Sequence, residues 1–92
     1  MAEVQEITLT NIKQVKAVLK KLSNGWVKLL AAKMFPGEPE EKASDKIYNI
    51  VNGVSGRDQE TRILFINKAN ELKGELEAEQ QGAINTLNNI IN

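Results

Sequence analysis

Clusters of helix-breaking residues cut this chain into short segments whose apolar residues recur every three or four positions. Ser23-Asn24-Gly25, Pro36-Gly37-Glu38-Pro39 and Asn52-Gly53 are the stops. Between them stand Ile12, Val15, Val18, Leu19 and Leu22, then Trp26, Val27, Leu29, Leu30 and Met34, then Ile47, Ile50 and Val51. That spacing belongs to amphipathic helices, and strict strand alternation occurs nowhere. The pattern predicts an all-α protein, a compact bundle of four to five short helices.

The stops also suggest the ends. Thr10 or Asn11 can cap the first helix with a side-chain oxygen. Pro39 suits a helical first turn, so the third helix can begin as early as Glu40. Asn52-Gly53 tolerates the left-handed conformation that closes a helix. Asp58 can cap a fourth helix carrying Ile63, Leu64, Ile66, Ala69 and Leu72, which Gly74 weakens or ends. Leu76, Ala83, Ile84, Leu87, Ile90 and Ile91, interrupted by Gly82, read as a fifth amphipathic helix. Residues 1–9 lack periodicity and read as a flexible arm that Val4, Ile7 and Leu9 can pin to the body. The expected organisation is an arm (1–9), a helical domain (10–73) and a C-terminal amphipathic helix (74–92).

With 92 residues the core must be modest. The aromatic residues are Trp26, Phe35, Tyr48 and Phe65, so Ile, Leu, Val and Ala must fill it, and Trp26 reads as part of it. The absence of cysteine and histidine removes thiol chemistry, the commonest general base and the commonest metal ligand. No phosphate-cradling glycine motif is present either. Glu40 with Glu41, and Glu75, Glu77 and Glu79, read as solvated faces. No catalytic residue, metal, cofactor or small-molecule substrate is therefore expected. No bilayer-spanning run and no signal pattern stand out, which predicts a cytoplasmic protein without a membrane partner.

The formal net charge is zero, but the charges are segregated. From Ile7 to Gly37 there is no acid, against Lys13, Lys16, Lys20, Lys21, Lys28 and Lys33. Acids gather at Glu38, Glu40 and Glu41, and again from Glu71 to Glu79. A polyanion-binding half is one reading, and a solvated lysine face the other.

Residues 44–53, Ser-Asp-Lys-Ile-Tyr-Asn-Ile-Val-Asn-Gly, combine an apolar face with a hydrogen-bonding face and a hard stop. Taken with Leu29-Leu30-Ala31-Ala32-Lys33-Met34, this stretch resembles the helix-turn-helix of lambda-repressor-like DNA-binding domains. Ala31 or Ala32 would be the small residue at the helix crossing, Ile47 and Ile50 the paired aliphatics, and Asn52-Gly53 the terminal stop. Arg62 to Leu72 would close the domain core. The resemblance covers roughly residues 10–73. It departs from the family at the turn, where residues 35–43 make an extended, acidic connection in place of about 3–4 residues.

The resemblance implies a small bacterial or phage-type transcriptional regulator that binds double-stranded DNA, with a recognition helix over about 44–52 in the major groove. Ser44 and Lys46 would donate to base acceptors or phosphate, and Asn49 would pair with adenine through its amide. Asp45 would accept from a cytosine amino group or cap the helix. Tyr48 would touch a thymine methyl or a phosphate, or be a half-buried surface aromatic. Lys28, Lys33 and Arg57 would contact phosphate. Readers of this type bind as pairs, so the tail is expected to make a homodimer contact or else to fold back on the core. The alternative is a small helical protein–protein interaction module, such as a phage accessory or structural protein, which the zero net charge and the acidic turn favour.

Overall fold

The computed structural model describes residues 6–91, with side chains through Asn89. Its four helices are α1 (Leu9–Leu22), α2 (Trp26–Met34), α3 (Glu40–Val51) and α4 (Gln59–Ile91). No strand occurs among the described residues.

The first helix starts earlier than its sequence suggests. Thr8 is the N-cap: its hydroxyl accepts from the Asn11 N–H at 3.1 Å, and the Asn11 side chain accepts from the Thr8 N–H at 2.9 Å. This reciprocal box satisfies two amides, with Asn11 in the place glutamate usually takes. The capping role expected of Thr10 or Asn11 thus belongs to Thr8. Lys20 and Lys21 fall in the last turn, where cations complement the helix dipole.

Phe35–Pro39 alone connect α2 to α3, so the turn is five residues long rather than the nine expected over 35–43. Glu40, Glu41, Lys42 and Ala43 are already helical, because Pro39 supplies a fixed φ of −55° at the N-cap and the two acids suit a first turn. Asp45 therefore sits inside α3 and has no capping role. At the far end Gly53 adopts φ 76°, and the Val54 N–H reaches the Asn49 carbonyl at 2.9 Å. A Cβ on Gly53 would approach Leu9 Cδ2 to 2.9 Å, so this glycine allows both the left-handed turn and close passage of α1.

The larger correction concerns the tail. Gly74 and Gly82 neither end nor break a helix; α4 runs through both as one 33-residue element. A helical glycine costs only about 1 kcal/mol relative to alanine, and at Gly74 the burial of Leu72 and Leu76 on either side offsets it. Phe65, Ala69, Leu72 and Leu76 form the buried stripe that holds α4 to the body. From Glu77 to Asn89 every residue is exposed.

The core is Ile12 and Leu19 from α1, Trp26, Val27, Leu30, Ala31 and Met34 from α2, Ala43, Ile47, Ile50 and Val51 from α3, and the α4 stripe. α2 packs most closely on α3, and α1 on α4. Ile7, expected in a loose arm, is stitched to α4. Its N–H donates to Gln59 Oε1 at 2.8 Å, and its carbonyl accepts from Gln59 and Arg62, each at 2.9 Å. Ile7 and Leu9 pack on the core as expected, and Val4 lies outside the described residues. At the other end of α1 the Gln80 amide donates to the Leu22 carbonyl at 3.3 Å. α1 thus runs parallel to α4 from Gln59 to Gln80, and α4 continues beyond it.

The radius of gyration is 15.4 Å, against about 12 Å for a compact chain of this length. The excess comes from α4: at about 1.5 Å per residue it spans roughly 50 Å, matching the 51 Å long dimension. No helix among the described residues is long and apolar enough to cross a membrane.

Candidate nucleic-acid interface

α3 buries Ala43, Ile47, Ile50 and Val51, which leaves Glu41, Lys42, Asp45, Lys46, Tyr48 and Asn49 outside. This division follows from the helical period alone. Ser44 is half-buried at the seam with α2. It lines a cleft of about 440 Å³ with Asn24, Gly25, Lys28, Glu40, Glu41 and Tyr48. Tyr48 is 50% exposed, its ring standing over that cleft. Asn49 uses its backbone carbonyl to close the helix, accepting from Val54 and Ser55, and its side chain is exposed. Asp45, Lys46, Tyr48 and Asn49 thus share the outer surface of one helix.

The cations are less free than the sequence implies. Lys28 lies 3.4 Å from Glu40, with both side chains largely exposed. Such a pair is weak and salt-screened. Lys46 is held between Glu38 and the Phe35 ring, its ammonium 5.0 Å from the ring centroid. Glu38 of the turn and Glu40 at the start of α3 therefore reach toward the lysines expected to meet phosphate. Lys33 does not join this group at all. Its side chain is only 22% exposed and lies between Glu75 at 2.8 Å and Glu71 at 4.0 Å on α4. Arg57 stands exposed in the loop after α3, with no salt bridge among the described residues.

Sequence reasoning missed the Lys33–Glu75 tie, because the whole of α3 lies between the two residues and nothing local pairs them. It also missed the Phe35–Lys46–Glu38 cluster, although the aromatic and the acid both flank the turn in front of Lys46. Asp58 was foreseen as a cap. Its Oδ2 accepts from the Thr61 hydroxyl at 2.8 Å and from the Thr61 N–H at 3.0 Å. Those bonds, the hydroxyl first, hold its carboxyl below the usual aspartate value. No group of three or more acidic, histidine or cysteine side chains able to hold a metal occurs among the described residues.

No protein-family model matches this chain, and searches of curated proteins and of solved structures return no match. The class that the structure itself defines is an all-helical bundle of four helices with one long helix extending from it.

Proposed function

We propose that this protein binds double-stranded DNA in the manner of a small transcriptional regulator, with α2 and α3 as its helix-turn-helix. The observation that carries the reading is the two-sided construction of α3: one face locked in the core by Ile47 and Ile50, the other offering Lys46, Tyr48 and Asn49 together. Ala31, buried beside Ala43 along the α2–α3 seam, is the kind of small contact that lets two helices cross closely. In this reading Asn49 reads a base edge, while Ser44, Asp45, Lys46 and Tyr48 contribute at its borders. Lys28, Arg57 and Lys46, whose border contact is with the backbone, meet phosphate. Lys33, tied to α4, holds the motif in place and leaves phosphate to the others. The protein works in the cytoplasm as a homodimer joined through the end of α4.

Selection of random duplex DNA at low and moderate salt tests this. Enrichment of a sequence that Asn49→Ala weakens by about 1–3 kcal/mol, without loss of fold, supports the reading. Absence of binding at low salt rejects it. Lys46→Ala is expected to weaken all sequences alike and to reduce the salt slope by about one.

A second reading draws on the ion pairs. With Glu38 on Lys46 and Glu40 on Lys28, the α3 surface is close to neutral. A protein–protein interaction module of the same fold, without DNA, would have such a surface. The salt arm of the selection separates the two.

A further inference from the structure

The lysines of α1 have no part in the reading above, and they stand apart from the other lysines named in it. Lys13, Lys16 and Lys20 follow one another at intervals of three and four, with Lys21 beside the last. They share the face of α1 opposite Ile12, Val15, Leu19 and Leu22, which pack on the core. Lys13, Lys20 and Lys21 are exposed and Lys16 is half-buried. None of the four makes a salt bridge among the described residues, whereas Lys28, Lys33 and Lys46 each lie against a glutamate. Like charges three and four residues apart on a helix repel one another. No neighbour in sequence relieves this, because there is no acid between Ile7 and Gly37. The acids of α4 that form salt bridges are engaged by Lys33, Lys68 and Lys73. The whole chain is formally neutral, so these four charges are a local excess.

The composition of this face selects its partner. The apolar stripe of α1 is spent in the core, with Ile12 and Leu19 buried, so the helix has no second apolar face to lay into a membrane interface. It carries no aromatic residue and no arginine, the types that anchor protein–protein contacts, where lysine is depleted. A row of lysines alone suits a polymer of evenly repeated negative charge. An ammonium binds phosphate as a point charge and needs no fixed geometry. The length fits as well. Lys13 to Lys21 rises about 12 Å along the helix, which matches three to four phosphates of one strand at about 3.4 Å of duplex axis each.

We infer that the outer face of α1 binds the sugar–phosphate backbone of double-stranded DNA without regard to sequence, through Lys13, Lys16, Lys20 and Lys21. The inference rests on the duplex-binding reading for the choice of polymer, but it adds a second surface and does not need α3 to read bases. Phosphates neutralised by these lysines release their counterions. Binding to random duplex is therefore expected to fall with a log–log salt slope of about 3–4. Between about 50 and 200 mM salt that slope is a loss of roughly a hundredfold.

The test is titration of the full chain with a random-sequence duplex at several salt concentrations. Lys13→Gln, Lys16→Gln, Lys20→Gln and Lys21→Gln are combined in one variant, since glutamine forms helix about as well as lysine. That variant is expected to bind roughly tenfold or more weaker at about 50 mM salt and to lose about three units of slope, with an unchanged Trp26 signal reporting an intact core. Two double variants separate place from net charge. Lys13→Gln with Lys20→Gln should lower the slope by about two; Lys68→Gln with Lys73→Gln, which removes as much charge from α4, should leave it unchanged. An unchanged slope in the four-lysine variant would overturn the inference. So would an equal loss from the α4 pair, no binding of random duplex by the parent at low salt, or binding to phosphatidylserine vesicles in place of duplex. Random-duplex binding that depends on α1, with no enriched motif, would keep this inference and reject base reading by α3. An enriched motif with an unchanged slope in the four-lysine variant would do the reverse.

Discussion

The Lys33 ammonium of α2 lies 2.8 Å from the Glu75 carboxylate of α4, across a gap of 42 residues in the chain. A cation from the acid-free half is thereby joined to the acidic half. Lys33→Gln is expected to lower stability by about 0.5–1 kcal/mol, since Glu75 remains largely exposed. If DNA binds, the same change should leave the salt slope intact, while Lys46→Ala reduces it. Thermal melts paired with titrations at several salt concentrations check both halves of this statement.

Glu38 and Glu40 hold the lysines that face outward from the motif. Under the DNA-binding reading they compete with phosphate. Glu38→Gln with Glu40→Gln should therefore tighten DNA binding severalfold at low salt and progressively less as salt screens the field. Equal binding by parent and variant at low salt would count against phosphate contact by Lys28 and Lys46.

Gly56 adopts φ 61°, and a Cβ there would approach Ile50 Cγ1 to 2.6 Å and Thr61 Cγ2 to 2.9 Å. Gly56→Ala is expected to cost about 1–2 kcal/mol for the backbone alone, and more with the steric clash. Gly74 is the converse case. It is helical with nothing within 4 Å of a built Cβ, so Gly74→Ala should stabilise by about 0.5–1 kcal/mol. Denaturant midpoints of the two variants should move in opposite directions.

Asp58 links stability to pH. Thr61 stabilises its ionised form, so the folded-state pKa lies below the ordinary value of 3.8. A group depressed on folding contributes stability above its unfolded pKa and loses it as pH falls through the folded one. The parent should therefore lose melting temperature as pH drops below about 4. Asp58→Asn should show a shallower dependence over the same range.

Much of this fold is legible in the sequence, because α1, α2 and α3 are bounded by residues with strong local preferences. Pro36 and Pro39 bracket one stop, and Gly53 supplies another. What local preference does not determine is what packing overrides. Gly74 marks a break by propensity, yet Leu72 and Leu76 bury on either side of it and carry the helix through. Asp45 has the chemistry of a cap, but Pro39 starts the helix nearly two turns earlier. At the interface, the exposure of Lys46, Tyr48 and Asn49 follows from period alone. The partners of Lys28, Lys33 and Lys46 do not, because each depends on how helices or turns lie in space.

The stitch between Ile7 and Gln59 spans 52 positions, so it closes more than half of the chain into a loop. The α2–α3 pair, by contrast, is joined by one short turn. Long closures form late and short ones early, since chain entropy must be surrendered before a distant contact is gained. Folding should start at the α2–α3 hairpin, with α1 and the head of α4 zipped around it afterwards. Truncation of the chain before Thr8 would then leave the folding rate nearly unchanged and speed unfolding. A contact made after the barrier acts as a latch on the finished molecule, setting its lifetime rather than the rate at which it is made.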